Sequence, residues 1–431
     1  MLESASNSPD SLQAATANGG EPQSSGPPQT GARTIDDVSR RRTTDVPPAT
    51  RIDPLHPEPS GIPPLLERTL RILLLIATLY VFLVSVKMLG TGFKMFGSGF
   101  SERLIATTTN PFVGLFIGIL ATSIVQSSST TTSTVVGFVA MGMLSIENAV
   151  PIIMGANIGT TVTCAIVSLG HVARPEEFKR AFAAASVHDF FYLMTVLILF
   201  PLELATGFLA KSATALSRFL TGSEGMTFAS PIKQVVGPAV HVVKDAAVHL
   251  VGDHAAILVA VFAFALMIGA LWLLVKQTKA LALSRAEVMI DRVIGRSGVP
   301  GIALGAGITA VIQSSSVTTS LLVPLAGAGV VKLEKVFPIA LGANIGTTVT
   351  ALMASLAGDS RGLTIALVHL LFNIAGILII YPYRPLRRVP IILAQKLAEA
   401  AVRSKKVVAF FVIGLFYAVP GLLILIGRLL K

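Results

Sequence analysis

The chain has 431 residues, of which 52% are hydrophobic and only 13% charged, and its formal net charge is +11. A soluble domain is about a quarter charged, so this composition excludes an ordinary water-soluble globule. The single cysteine, Cys164, excludes an internal disulfide and a cysteine metal cluster, and the basic excess lies in short loops beside apolar runs, which is a membrane-orientation pattern and not a nucleic-acid surface.

Residues 1–62 are rich in Ser, Pro, Thr and Gly and carry Arg40, Arg41 and Arg42. Such a stretch cannot bury enough apolar surface to offset its ordering entropy, which predicts a disordered cytoplasmic tail. Apolar runs near the roughly 20-residue length of a membrane span follow at 70–91, 148–169 and 181–201, closing a first transmembrane repeat over 63–201. An inter-repeat segment, 202–253, has nearly cancelling charges and is expected outside the cell. Within it Ile232, Val235, Val236, Ala239 and Val243 keep helical spacing suited to a helix on the membrane surface. A second repeat over 254–382 has spans at 254–275, 336–357 and 362–382. Residues 383–431 add an amphipathic segment and a last span at 407–427.

Two further apolar stretches, 112–143 and 299–331, do not read as single helices, because each is broken by a polar centre. Interrupted segments at matching places in two halves point to a transporter binding site. Lys276, Lys279, Arg285, Arg292 and Arg296 fall in one loop, and Arg384, Arg387, Arg388, Lys396, Arg403, Lys405 and Lys406 in another. Placing both loops and the N-terminus in the cytoplasm gives an odd number of crossings per repeat. The fold class expected is therefore an all-α polytopic protein of the cytoplasmic membrane. Its two repeats are inverted, each with a re-entrant helical hairpin, and an extra C-terminal span follows.

Residues 118–163 align without a gap onto 305–350 at a constant offset of 187, with half of the positions identical. This is internal duplication. Gln126-Ser127-Ser128-Ser129 falls on Gln313-Ser314-Ser315-Ser316, and the nine residues 155–163, GANIGTTVT, recur unchanged as 342–350. Hydroxyls and amides at membrane depth are costly unless they are paired or face water. A block of them fits a reversal between two half-helices, whose second arm begins with unpaired N–H groups ringed by hydroxyls. That is an anion site. The glycines of GANIGTTVT permit an unwound or tightly packed stretch. The site reading takes the first, so that freed carbonyls, the amides of Asn157 and Asn344 and the hydroxyls of Thr160, Thr161, Thr347 and Thr348 become hard oxygen donors for sodium.

His188-Asp189 lies in one span and His369 at the matching place in another. An intramembrane aspartate is a candidate cation ligand or charge-coupling group. Glu147 and Glu334, ahead of Pro151 and Pro338, read as residues favouring a helix N-terminus and not as transport groups.

The two QSSS motifs, the paired GANIGTTVT elements and the stretch from Arg180 to Glu203 resemble the type II sodium-dependent phosphate cotransporters over roughly 70–382. The resemblance implies two inverted repeats forming one phosphate and sodium pathway, with both QSSS segments lining it. It implies that Asp189 accompanies electrogenic uptake, and that the Asn four residues after each histidine contributes to a sodium site. Here that Asn is kept as Asn373 and replaced by Tyr192. With no cysteine to bridge a long external loop, the chain resembles bacterial members. The expected partners are inorganic phosphate, sodium as the coupling ion and the lipid bilayer, with no cofactor and no enzymatic activity. A carrier of another small oxyanion and a phosphate exporter remain open alternatives. An intramembrane serine hydrolase is disfavoured, because a symmetrically duplicated serine block does not single out one activated nucleophile.

Overall fold

The computed structural model describes residues 64–221, 231–294 and 298–429, and the N-terminal tail expected to be disordered lies outside them. Among the described residues there is no strand. The first half runs α1 (Pro64–Met95), α2 (Ser98–Thr108), α3 (Pro111–Val125), α4 (Ser128–Ala140), α5 (Ile146–Gly159), α6 (Val162–Ser168) and α7 (Pro175–Thr206). Next come α8 (Phe208–Thr221) and α9 (Pro231–Val251). The second half is α10 (Ala255–Ile294), α11 (Val299–Ile312), α12 (Ser315–Gly327), α13 (Leu333–Ser355) and α14 (Ser360–Ile380), followed by α15 (Arg384–Arg403), α16 (Lys406–Ile413) and α17 (Val419–Leu429).

Seven helical stretches among the described residues are long and apolar enough to cross a membrane, and each overlaps one of the predicted spans, those predicted at 336–357 and 362–382 running two residues past the helix ends. The two interrupted segments become the helix pairs α3–α4 and α11–α12. Two helices were not foreseen. The short α2 is bent by 101° against α3. Helix α8 starts where Gly207 (φ 64°) ends α7, and the Glu203 carboxylate accepts from the N–H groups of Leu209 (2.5 Å) and Ala210 (3.2 Å). The described part of the inter-repeat segment is therefore largely helical, and α9, which carries the helical spacing read over 232–243, continues through Pro238 and packs against α1 and α10. Glu147 and Glu334 lie in the first turns of α5 and α13, with Pro151 and Pro338 inside the helices that they precede.

Packing follows the duplication. Helix α3 lies on α5, and α11 on α13, through matching glycines. A Cβ on Gly155 would stand 2.0 Å from the Leu115 carbonyl oxygen, and one on Gly342 1.9 Å from that of Ile302. Small residues that admit a neighbouring backbone drive close helix packing in membranes. These glycines therefore serve contact and not unwinding, which corrects the expectation of freed carbonyls. Helix α13 is continuous through 342–350. In the first copy the ladder is interrupted only at Thr160 and Thr161, both still near right-handed helical angles, with the Cys164 N–H reaching the Thr161 carbonyl at 3.0 Å.

The amphipathic segment forms α15, which turns Ile391, Ala394, Ala398 and Ala401 inward and packs on α7. Lys179 on α7 donates to Glu399 at 2.9 Å and holds that exposed carboxyl below its usual range.

Candidate functional site

In both copies the helix is broken at the glutamine of QSSS. Gln126 (φ 55°) ends α3 and Gln313 (φ 62°) ends α11, and they are the only non-glycine residues with positive φ among the described residues. Their N–H groups close the preceding helices on Thr122 O (2.7 Å) and Thr309 O (2.6 Å). A left-handed conformation costs an ordinary side chain about 1–2 kcal/mol, so a glutamine kept there in both copies marks a strained position.

The next residue is extended in each copy and caps the second arm. Ser127 Oγ accepts from Thr130 N at 3.2 Å, and Ser314 Oγ accepts from Val317 N at 3.3 Å. The first N–H groups of α4 and α12, those of Ser128, Ser129, Ser315 and Ser316, remain at the two helix N-termini, where backbone donors and the helix dipole favour an anion. The tips meet: Ser129 Oγ donates to the Gln313 carbonyl at 3.3 Å. Gln126 is exposed, whereas Gln313 is half-buried and its Oε1 has no partner.

The threonines behave differently from the serines. Thr131, Thr132, Thr134, Thr318 and Thr319 each donate to a carbonyl four residues back, at 2.8–3.3 Å. Helix back-bonding therefore absorbs more of the polar block than the sequence suggested, and the serines are what is left for a ligand.

The GANIGTTVT elements lie beside the tips, with their polar groups joined across the two halves. Asn157 donates to Ile153 O at 2.8 Å, and its Oδ1 meets His369 Nε2 at 3.1 Å. Asn344 donates to Ala340 O at 3.1 Å and its amide is paired with His188 Nε2. Each asparagine thus holds the histidine of the opposite half. Thr160 and Thr347 donate to Ala156 O and Ala343 O, each at 3.1 Å or less, and Thr161 and Thr348 to Ile158 O and Ile345 O. These bonds use the hydroxyl protons and leave oxygen lone pairs free.

Asp189 on α7 is fully buried, and neither of its oxygens has a hydrogen-bond partner. The Thr161 hydroxyl lies beside it. The Cys164 thiol is 3.0 Å from Thr319 Oγ1 on α12. A bare carboxylate in a dry interior is strongly disfavoured without a cation or a proton, so this corner can take a monovalent cation.

The predicted residues therefore do not form one cluster. The QSSS tips come together, and Asp189 gathers with Thr161. Asn373 stands at a third place, where its Oδ1 accepts from Tyr192 Oη at 2.6 Å. Tyr192 and Asn373 hold equivalent places after His188 and His369, so the departure noted in the sequence lies where the halves touch. Two hydroxyls were not singled out: the Oγ1 atoms of Thr163 and Thr350, the last residues of the repeated nonapeptide, are both buried and unpartnered. Their identical position in the two copies was the available signal.

The Na+/Pi-cotransporter family matches residues 81–228 and 266–395. Sodium-dependent phosphate transport protein 2A of Ovis aries is 33% identical over 86% of this chain and 70% of its own length. The 2A protein of Rattus norvegicus is 32% identical over 82% of the chain and 67% of its own length. Sodium-dependent phosphate transport protein 2B of Homo sapiens is 31% identical over 81% of the chain and 64% of its own length. No solved structure matches the chain.

Proposed function

The chain belongs to the Na+/Pi-cotransporter family and couples sodium to phosphate symport, and on that premise we propose how its two halves carry the ion. Phosphate binds between the hairpin tips, beside the N-termini of α4 and α12, where Ser129 already touches Gln313. That meeting of the tips is the observation that carries the reading. The serine hydroxyls and the first N–H groups of both arms supply donors for a tetrahedral oxyanion.

Sodium supplies the positive charge that the hairpin tips lack. Asp189 and Thr161 form one cation corner, with Asn157, Thr160, Asn344, Thr347, Thr348 and Asn373 available as further oxygen donors. A dianion entering without cations would meet only dipoles, so sodium occupancy precedes productive phosphate binding. The two halves are inverted in the cytoplasmic membrane with the N-terminus inside, and rocking of one against the other exposes the site alternately during electrogenic uptake.

Purified protein in liposomes should accumulate labelled phosphate under an inward sodium gradient and not when choline replaces external sodium. Equal accumulation in both would refute the coupling. Ser129→Ala should depress uptake about tenfold by removing a hydroxyl at the meeting point of the tips. Unchanged uptake would move the phosphate elsewhere.

A further inference from the structure

Helices α1 and α10 pack along much of their length and leave between them a cleft of about 420 Å³ at one membrane surface. Its walls include Leu74, Leu75 and Leu273, and its rim carries Arg71 and Lys276. Trp272, exposed, lies one turn from Lys276, and the Lys276 ammonium sits 4.9 Å above the indole ring. An exposed Trp–Lys pair at the end of an apolar run marks the boundary between hydrocarbon and headgroups.

The inside of the cleft is polar at one point. Gln277 donates through Nε2 to Thr78 Oγ1 at 2.8 Å, while its Oε1 is buried and has no partner. The cleft thus offers apolar walls for acyl chains, cations for a phosphodiester and one acceptor for a headgroup donor. Arg71 is paired with Glu67 on its own helix, so one positive charge remains in excess over the three groups.

We propose that this cleft holds an anionic glycerophospholipid, such as phosphatidylglycerol, of the leaflet on the side of the α1 N-terminus. The phosphate lies between Arg71 and Lys276, a headgroup hydroxyl donates to Gln277, and an acyl chain follows Leu74 and Leu273. On the orientation proposed above, this is the cytoplasmic leaflet, where basic residues and anionic headgroups attract each other.

The site is joined to the transport machinery. Thr278, also in the cleft wall, has its Oγ1 within hydrogen-bond reach of Leu274 O (2.8 Å) and of Ile312 O (3.3 Å). Ile312 is the residue before Gln313, where the second interrupted segment breaks. Lipid that wedges α10 against α1 therefore braces the base of the second tip, and its loss loosens that tip without touching the phosphate site.

The test is purified protein in nanodiscs of phosphatidylcholine with or without phosphatidylglycerol, read by native mass spectrometry for retained lipid. Wild type should keep phosphatidylglycerol in preference to phosphatidylcholine. Arg71→Ala and Lys276→Ala should each lower that retention about fivefold, the factor matching about 1 kcal/mol per basic residue at an anionic surface. Gln277→Leu should reduce the preference for a headgroup with a free hydroxyl. Retention unchanged in the Arg71→Ala/Lys276→Ala double variant overturns the site. An equal loss in Arg388→Ala, on the exposed surface of α15, overturns it in favour of diffuse surface charge. Displacement of the lipid by inorganic phosphate overturns it in favour of a second phosphate site. The mass readout needs no transport, so it stands or falls separately from phosphate uptake. Where the lipid is retained, phosphatidylglycerol should also raise sodium-driven uptake by wild type several-fold and leave the double variant at its basal rate.

Discussion

Nine identical residues sit in two different settings. In the second half, 342–350 belong to one unbroken helix, whereas in the first half the same letters span the interruption at Thr160 and Thr161. The local sequence cannot cause that difference, so the surroundings must. Thr161 lies beside Asp189, whose counterpart in the second half is Leu370. The hairpins diverge in the same way. Thr130 donates its hydroxyl to Ser127 at 2.9 Å, and Val317 cannot do so for Ser314. Thr309 donates to Thr318 at 2.8 Å, while Thr122, the counterpart of Thr309, is buried without a partner. What the halves share builds the scaffold: the left-handed glutamine, the serine cap and the glycine contacts. What they do not share concentrates charge and unsatisfied oxygen in the first half.

The largest expected effect comes from removing the charge that distinguishes the halves. Asp189→Gly should abolish phosphate-evoked current in proteoliposomes while sodium-dependent uptake continues. A current that survives would mean that the carboxylate does not set the charge carried. A smaller effect is expected at the contact between equivalent residues. Tyr192→Phe removes the donor to Asn373 and should destabilise the detergent-solubilised protein by about 1–3 kcal/mol, because a buried carbonyl loses its partner. Sodium should restore more thermal stability to this variant than to wild type, since the freed Asn373 oxygen can then meet a cation. An identical sodium response in both would remove Asn373 from the ion path. The smallest effect is expected where the hairpins are made more alike. Val317→Thr gives Ser314 the hydroxyl contact that Ser127 has and should change apparent phosphate affinity by no more than about threefold. A change of tenfold or more would show that the two caps are not interchangeable parts.

Much of this architecture was legible before any coordinates. Long apolar runs announce membrane spans because hydrocarbon tolerates little else, and a duplicated polar block inside an apolar stretch points to a break in the helix. The left-handed turn fell at the predicted place for that reason. Helices α2 and α8 were not legible, since short amphipathic helices rest on tertiary contacts such as the Glu203 carboxylate on the N–H groups of Leu209 and Ala210. The role of the glycines was weighed wrongly, because close packing and unwinding call for the same residue and only the facing backbone separates them. The pairing of Asn157 with His369 and of Asn344 with His188 joins positions 212 and 156 residues apart, and no periodicity encodes such distances.

Those crossed pairs carry a consequence for how the molecule is built. Arg180 donates to the Gly327 carbonyl at the end of α12, and Arg361 lies against Gly142 just past the end of α4. The asparagine and histidine of each half are thus paired with the other half, and Arg180 of the first half is satisfied by the second, whereas Arg361 bonds Asp359 of its own half. Neither half holds a full complement of partners by itself. The covalent link through α8 and α9 contributes none of these bonds, so two separately expressed halves meeting in one bilayer would find in each other the contacts that the single chain makes.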